Sequence, residues 1–202
     1  MSSDERPITR TSTALLEGLR DSGDESAWRE FEARYRPLVF AVARRLGLQD
    51  ADAEDAAQET LAAFVQAYRE HRYDREKGRL RQWLRGIACH KVRDLLRRRG
   101  REISASDRTD AERMLEQVPD AHAQSAWDDE WSKAVLRQCL EQVRGEVEPQ
   151  TFEAFLLFAL REWPARRVAE HLQISEAVVY QSKSRVLKRV RELIGGAEEE
   201  IG

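Results

Sequence analysis

Glycine and proline are scarce in this chain, ten and five among 202 residues. Stretches that alternate apolar and polar residues are absent. Sheet-rich folds need both, so the chain reads as all-α. The two cysteines, Cys89 and Cys139, form no Cys-x-x-Cys pair. That excludes a disulfide scaffold and fits buried, reduced thiols in a cytoplasmic protein. The histidines His71, His90, His122 and His171 lie far apart and show no metal spacing. No apolar run approaches the ~20 residues needed to span a bilayer, so no membrane insertion is expected. The polar N-terminus lacks the apolar core of a signal peptide. A glycine-rich phosphate loop and a nucleophile–base constellation are also missing. No catalytic residue, metal or cofactor is expected, and the chain does not read as an enzyme.

What is abundant is charge. Charged residues reach 35%, against a typical ~25%. Such a chain favours two small domains over one large core. The net charge of −3 hides an internal polarity. Between Gly78 and Arg101 one helical pattern carries Arg79, Arg81, Arg85, Lys91, Arg93, Arg97, Arg98, Arg99 and Arg101, opposed only by Asp94. Its apolar positions, Leu80, Trp83, Leu84, Ile87, Ala88, Val92, Leu95 and Leu96, recur at steps of three and four. Guanidinium groups in a row on a rigid helix suit a row of phosphates. The bland alternative is a solvated face, but such faces usually mix signs. Directly afterwards, Glu102–Glu130 holds nine acidic residues against Arg108 and Arg113.

In chain order, residues 1–23 read as a tail and a short helix. A longer helix follows, with Trp28, Phe31, Tyr35, Leu38, Val39, Val42 and Leu46 on its apolar face and Gly47 as its stop. Pro37 is expected to kink or split it. The next helix, about Asp50 to Arg72, starts acidic. Helix-dipole compensation explains Asp50 and Asp52. Asp55, Gln58 and Glu59 share one face further along, where solvation and protein docking are equally consistent with the spacing. A polar loop with Tyr73, Arg75 and Lys77 leads into the basic helix. Residues 102–125 read as an acidic linker. Beyond it come a helix over about 125–143, an unusually apolar helix over 149–161, and a short helix after Pro164. A tight turn at Gln173–Ile174 and a long helix capped by Ser175 complete a helix-turn-helix pattern. Gly195 and Gly196 are expected to end that helix before an acidic tail at 197–202.

Together these blocks resemble bacterial RNA polymerase sigma factors of the extracytoplasmic-function (ECF) subfamily, over about Asp24 to Ile194. The resemblance rests on Asp52-Ala53-Glu54-Asp55-Ala56-Ala57-Gln58-Glu59-Thr60, on Trp83-Leu84 through Arg97-Arg98-Arg99, and on the Pro164–Arg191 helix-turn-helix. It implies a region 2-like domain at 24–101 and a region 4-like domain at 126–196. Asp52, Glu54, Asp55, Gln58 and Glu59 would dock on the β′ clamp of core RNA polymerase. Tyr73, Arg75, Lys77, His90, Arg93, Arg97 and Arg98 would read and melt the −10 element of promoter DNA. Ser175, Tyr180, Gln181, Ser184, Arg185 and Arg189 would contact the −35 element, with the same domain on the β flap. An anti-sigma factor is a further implied partner. Cys89-His90 stands where many relatives have Arg-Asn, so the −10 preference does not carry over. Two other readings compete. A stand-alone helix-turn-helix regulator accounts for the C-terminal third but leaves the acidic segment and basic helix unexplained. A helical adaptor without a DNA role leaves the clustered cations unexplained.

Overall fold

The computed structural model describes residues 13–21, 24–73, 80–103 and 120–199. Every regular element among them is a helix: α1 (Thr13–Arg20), α2 (Glu25–Arg45), α3 (Asp50–Arg69), α4 (Leu80–Ile103), α5 (Asp120–Glu146), α6 (Pro149–Phe155) continued by a π turn (Leu156–Leu160), α7 (Ala165–Leu172) and α8 (Glu176–Glu199). They form two compact units, one within Ser12–Lys133 and one within Ala134–Gly202.

The first unit is built from stripes at helical spacing. Asp24 caps α2, its carboxylate accepting the Ser26 and Ala27 amides at 3.0 Å each. Phe31, Tyr35, Leu38, Val39 and Val42 of α2 are buried against Ala53, Ala56, Leu61, Phe64 and Val65 of α3 and Leu84, Ala88 and Val92 of α4. Each large side chain buried in this way contributes ~1.5–3 kcal/mol. α2 runs unbroken through Pro37, so the helix is not split there. Pro37 and Ala33, whose carbonyl loses the hydrogen bond, both face solvent, so water can satisfy the freed acceptor. Gly47 does stop the helix. It takes φ 102°, and the Gly47 and Leu48 amides close on the Arg44 and Ala43 carbonyls at 3.1 Å each. The end of α3 repeats this geometry at Arg69, three residues early, with His71 at φ 56° in the glycine position.

Ala123, Ala126, Trp127 and Trp131 at the start of α5 are buried in this first unit, Trp131 stacking with Tyr35 at 6.4 Å. The expected boundary at 126 therefore falls inside it. Linker residues 104–119 lie outside the described residues.

In the second unit, Cys139 and Val143 of α5, Phe152, Ala154 and Phe155 of α6, Val168 and Ala169 of α7, and Val179, Val186 and Val190 of α8 are buried. α7 and α8 are joined by Gln173, Ile174 and Ser175. Gln173 takes the left-handed conformation, φ 54° and ψ 44°, with the Ile174 amide closing on the Ala169 carbonyl at 3.0 Å. The expected end of α8 at Gly195–Gly196 is not seen, and the helix continues to Glu199. Glycine inside a helix costs ~1 kcal/mol but forbids nothing, and no chain reversal here requires a left-handed residue. Both cysteines are buried thiols outside any disulfide, and burial pushes the Cys139 thiol above its ordinary pKa.

Candidate nucleic-acid interface

α4 lies with its apolar stripe on α3, and cations beside that stripe pair with α3 carboxylates. Lys91 Nζ stands 3.1 Å from Glu59 Oε2, and Arg99 pairs with Asp52. Two of the four acids expected to dock a partner thus also hold the basic helix. Glu54 is held from α2, by Arg36 at 3.0 Å. Asp55 and Gln58 are exposed and have no polar partner among the described residues. Local spacing could not show these pairings, because Arg36, Lys91 and Arg99 reach across helices.

The opposite side of α4 carries His90, Arg93, Asp94 and Arg97 at i, i+3, i+4 and i+7, one continuous stripe. His90 and Arg97 are exposed and flank Asp94, His90 Nδ1 at 3.1 Å and Arg97 at 3.7 Å. Arg93 is half-buried, and Arg98 is exposed. Trp83 is half-buried, in keeping with its place on the apolar stripe. It contacts Phe64 at 4.8 Å and stacks with Tyr73 at 5.1 Å. Tyr73, expected in a base-capturing loop, therefore rests on the core. Arg75 and Lys77 lie outside the described residues.

Arg81 and Arg45 turn to α5. Arg81 pairs with Asp128 at 2.5 Å and lies over the Trp131 ring at 4.9 Å. Arg45 pairs with Asp129 at 2.5 Å and Glu130 at 3.3 Å. The hydrogen bond that Arg45 donates to Asp129 holds the Arg45 guanidinium above its ordinary pKa. Part of the acidic block thus neutralises part of the basic surface.

In the second unit, Ser175 Oγ accepts the Val178 amide at 3.3 Å and begins α8. Tyr180, Gln181, Ser184 and Arg185 are exposed together on its first three turns, with Tyr180 at 53%. Arg189 is engaged elsewhere. Glu146 receives it at 2.5 and 3.2 Å and Glu192 at 3.3 Å. Those bonds raise the Arg189 pKa and, led by Arg189, hold the Glu146 carboxyl below its ordinary value. The inward position among the neighbours of Lys183 is taken by Ser182, and Lys183 itself is exposed. Among the described residues no His, Cys, Asp and Glu group could hold a metal, and no helix is long and apolar enough to cross a membrane.

Two all-helical units, one presenting a basic stripe beside an acidic face and the other a polar, tyrosine-bearing helix start, have the charge pattern that suits nucleic acid. Comparison with known proteins makes the class specific. The family described as Sigma-70 region 2 matches residues 33–102. RNA polymerase sigma factor CarQ of Myxococcus xanthus is 27% identical over 187 residues, covering 92% of this chain and 99% of its own. ECF RNA polymerase sigma factor SigE of Mycolicibacterium smegmatis is 32% identical over 91 residues, 45% of this chain and 34% of that relative. A solved structure of CnrH in complex with the cytosolic domain of CnrY aligns over 91% of this chain and 96% of the other, at 20% identity and a TM-score of 0.36. The chain belongs to the sigma-70 factors, in the extracytoplasmic-function subfamily, whose members direct transcription initiation. Membership implies core RNA polymerase and promoter DNA as partners.

Proposed function

We propose that this sigma factor docks on the β′ clamp of core polymerase through the α3 face centred on Asp55 and Gln58, with Asp52, Glu54 and Glu59 at its edge. α4 reads and melts the −10 element, using His90, Arg93, Arg97 and Arg98, with the 73–77 loop (Tyr73, Arg75, Lys77) alongside. α7 and α8 form the helix-turn-helix for the −35 element, using Ser175, Tyr180, Gln181, Ser184 and Arg185, with Arg189 bracing the helix from its Glu146 contact. The unit within Ala134–Gly202 sits on the β flap. The observation that carries this reading is the two-sided use of α4: its inner cations are spent on α3, while His90 and Arg97 stay exposed on the outer side and Arg98 is exposed towards the end of the helix.

An anti-sigma partner and cytoplasmic residence belong to the same proposal. Leu136 and Leu160, exposed on the second unit, supply the apolar surface that a protein partner would cover.

Reconstitution with core polymerase tests the docking assignment. Asp55→Lys combined with Gln58→Lys should weaken core binding at least tenfold, and the loss reports on docking because neither side chain has a polar partner among the described residues. Unchanged binding would remove the α3 face from the proposal. Specific promoter binding by the free chain, as tight as with polymerase present, would favour a stand-alone regulator instead.

A further inference from the structure

The apolar helix that follows Pro149 does not stay α-helical. After Phe155 it widens into the π turn Leu156–Leu160, closed by the Arg161 amide on the Leu156 carbonyl at 2.9 Å. Such turns are rare and re-aim the side chains that they carry. Here the re-aimed residue is Phe158. It is half-buried against the Ala154, Leu157, Val168, Ala169 and Val179 cluster and reaches α8. Its ring meets Tyr180 edge-to-face, centroids 5.2 Å apart and planes 88° apart. Lys183 Nζ lies over the same ring, 5.2 Å from its centroid. Tyr180 and Lys183 stand at i and i+3, so one phenyl ring contacts two neighbouring side chains on the exposed start of α8.

We propose that Phe158 is a positioning residue for promoter readout: from its π turn it fixes the Tyr180 ring and the Lys183 ammonium before DNA arrives, and so sets base preference at the −35 element. The inference rests on the assignment of α8 to −35 recognition. The physical reason is pre-organisation. An exposed tyrosine and lysine otherwise sample several rotamers, and that freedom must be lost on binding. A ring contact removes it beforehand, and a side chain fixed in one place distinguishes bases better than one that adapts to each. Phe158 need not touch DNA for this to hold.

The test is in vitro transcription by reconstituted holoenzyme on a promoter library randomised at −35 with the −10 element fixed. Phe158→Leu should flatten the base preference by roughly two- to tenfold, the weight of an edge-to-face aromatic contact. Phe158→Tyr, which keeps the ring, should restore the wild-type profile. A merely structural loss would lower initiation on all library members alike and leave the profile in shape. Should Phe158→Leu fail to fold, Phe158→Met carries the same expectation. If Tyr180→Ala flattens the profile while Phe158→Leu leaves it superimposable on wild type, the inference falls and the −35 assignment stands. If Tyr180→Ala and Arg185→Ala both leave the profile unchanged, the −35 assignment falls and takes the inference with it.

Discussion

Gly18 shows how closely α1 approaches α2. A Cβ placed there would stand 2.7 Å from Ala27 Cβ and 2.8 Å from Asp24 Oδ2. Alanine would gain ~1 kcal/mol of helix propensity. Against that, overpacking costs ~1–3 kcal/mol, and the Asp24 carboxylate would also have to leave the position from which it caps α2. Gly18→Ala is therefore expected to lower stability, read as a reduced urea midpoint with an unchanged slope. At this scale the sequence was informative about what is buried and silent about close approach. Leu15 and Leu19 announce their face by spacing, whereas nothing in the spacing marks Gly18 as a contact. The same limit applies to Asp52 and Glu59. Their position on one face of α3 could be read from the sequence, but their partners on α4 could not, since those lie over thirty positions away and meet them only after folding.

Two helix ends were readable from the residue that makes the turn. Gly47 stops α2 as expected, and the turn expected at Gln173–Ile174 has Gln173 in a left-handed cap. The split expected as one outcome at Pro37 does not occur, because the penalty depends on whether the orphaned carbonyl meets water, which is a property of the packed helix. The π turn at Leu156–Leu160 left no local mark, since an apolar run is compatible with either helix type. α5 and α8 are joined by a staple with a pH signature. Glu146 has an ordinary pKa of 4.5 and a lower one when folded, chiefly because Arg189 hydrogen-bonds it. Its contribution is present above pH 4.5 and is lost as pH falls through the lowered value. Glu146→Gln should melt earlier than wild type at neutral pH, and the two melting temperatures should converge on acidification. A gap that stays constant from neutral to acid pH would show that the carboxylate charge is not what holds the two helices.

On the scale of the whole molecule, a net charge of −3 coexists with a separated pattern of cations and anions. Some of the pattern is internally neutralised, as where Asp128, Asp129 and Glu130 meet Arg81 and Arg45. The exposed remainder on α4 is what DNA phosphates would meet. Each phosphate contact contributes ~0.9 to the slope of log K against log salt. Arg98→Ala, at an exposed site without an ion pair among the described residues, should reduce that slope by about this amount for holoenzyme on promoter DNA. An unchanged slope would place Arg98 away from the phosphates. The all-helical class and the family resemblance were accessible from the sequence, because each block has its own local pattern. The extent of the first unit was not, because Trp127 and Trp131 read equally well as the core of whatever follows them.

The α3–α4 pairings also limit how this protein can change over evolutionary time. Asp52 and Glu59 serve the fold and the proposed polymerase surface at once, so reversing either charge to suit another partner would also loosen the basic helix. Asp55 and Gln58 carry no such double duty among the described residues. A lineage adapting to an altered polymerase would have to draw its first substitutions from those two positions, with the other two drifting only alongside Lys91 and Arg99.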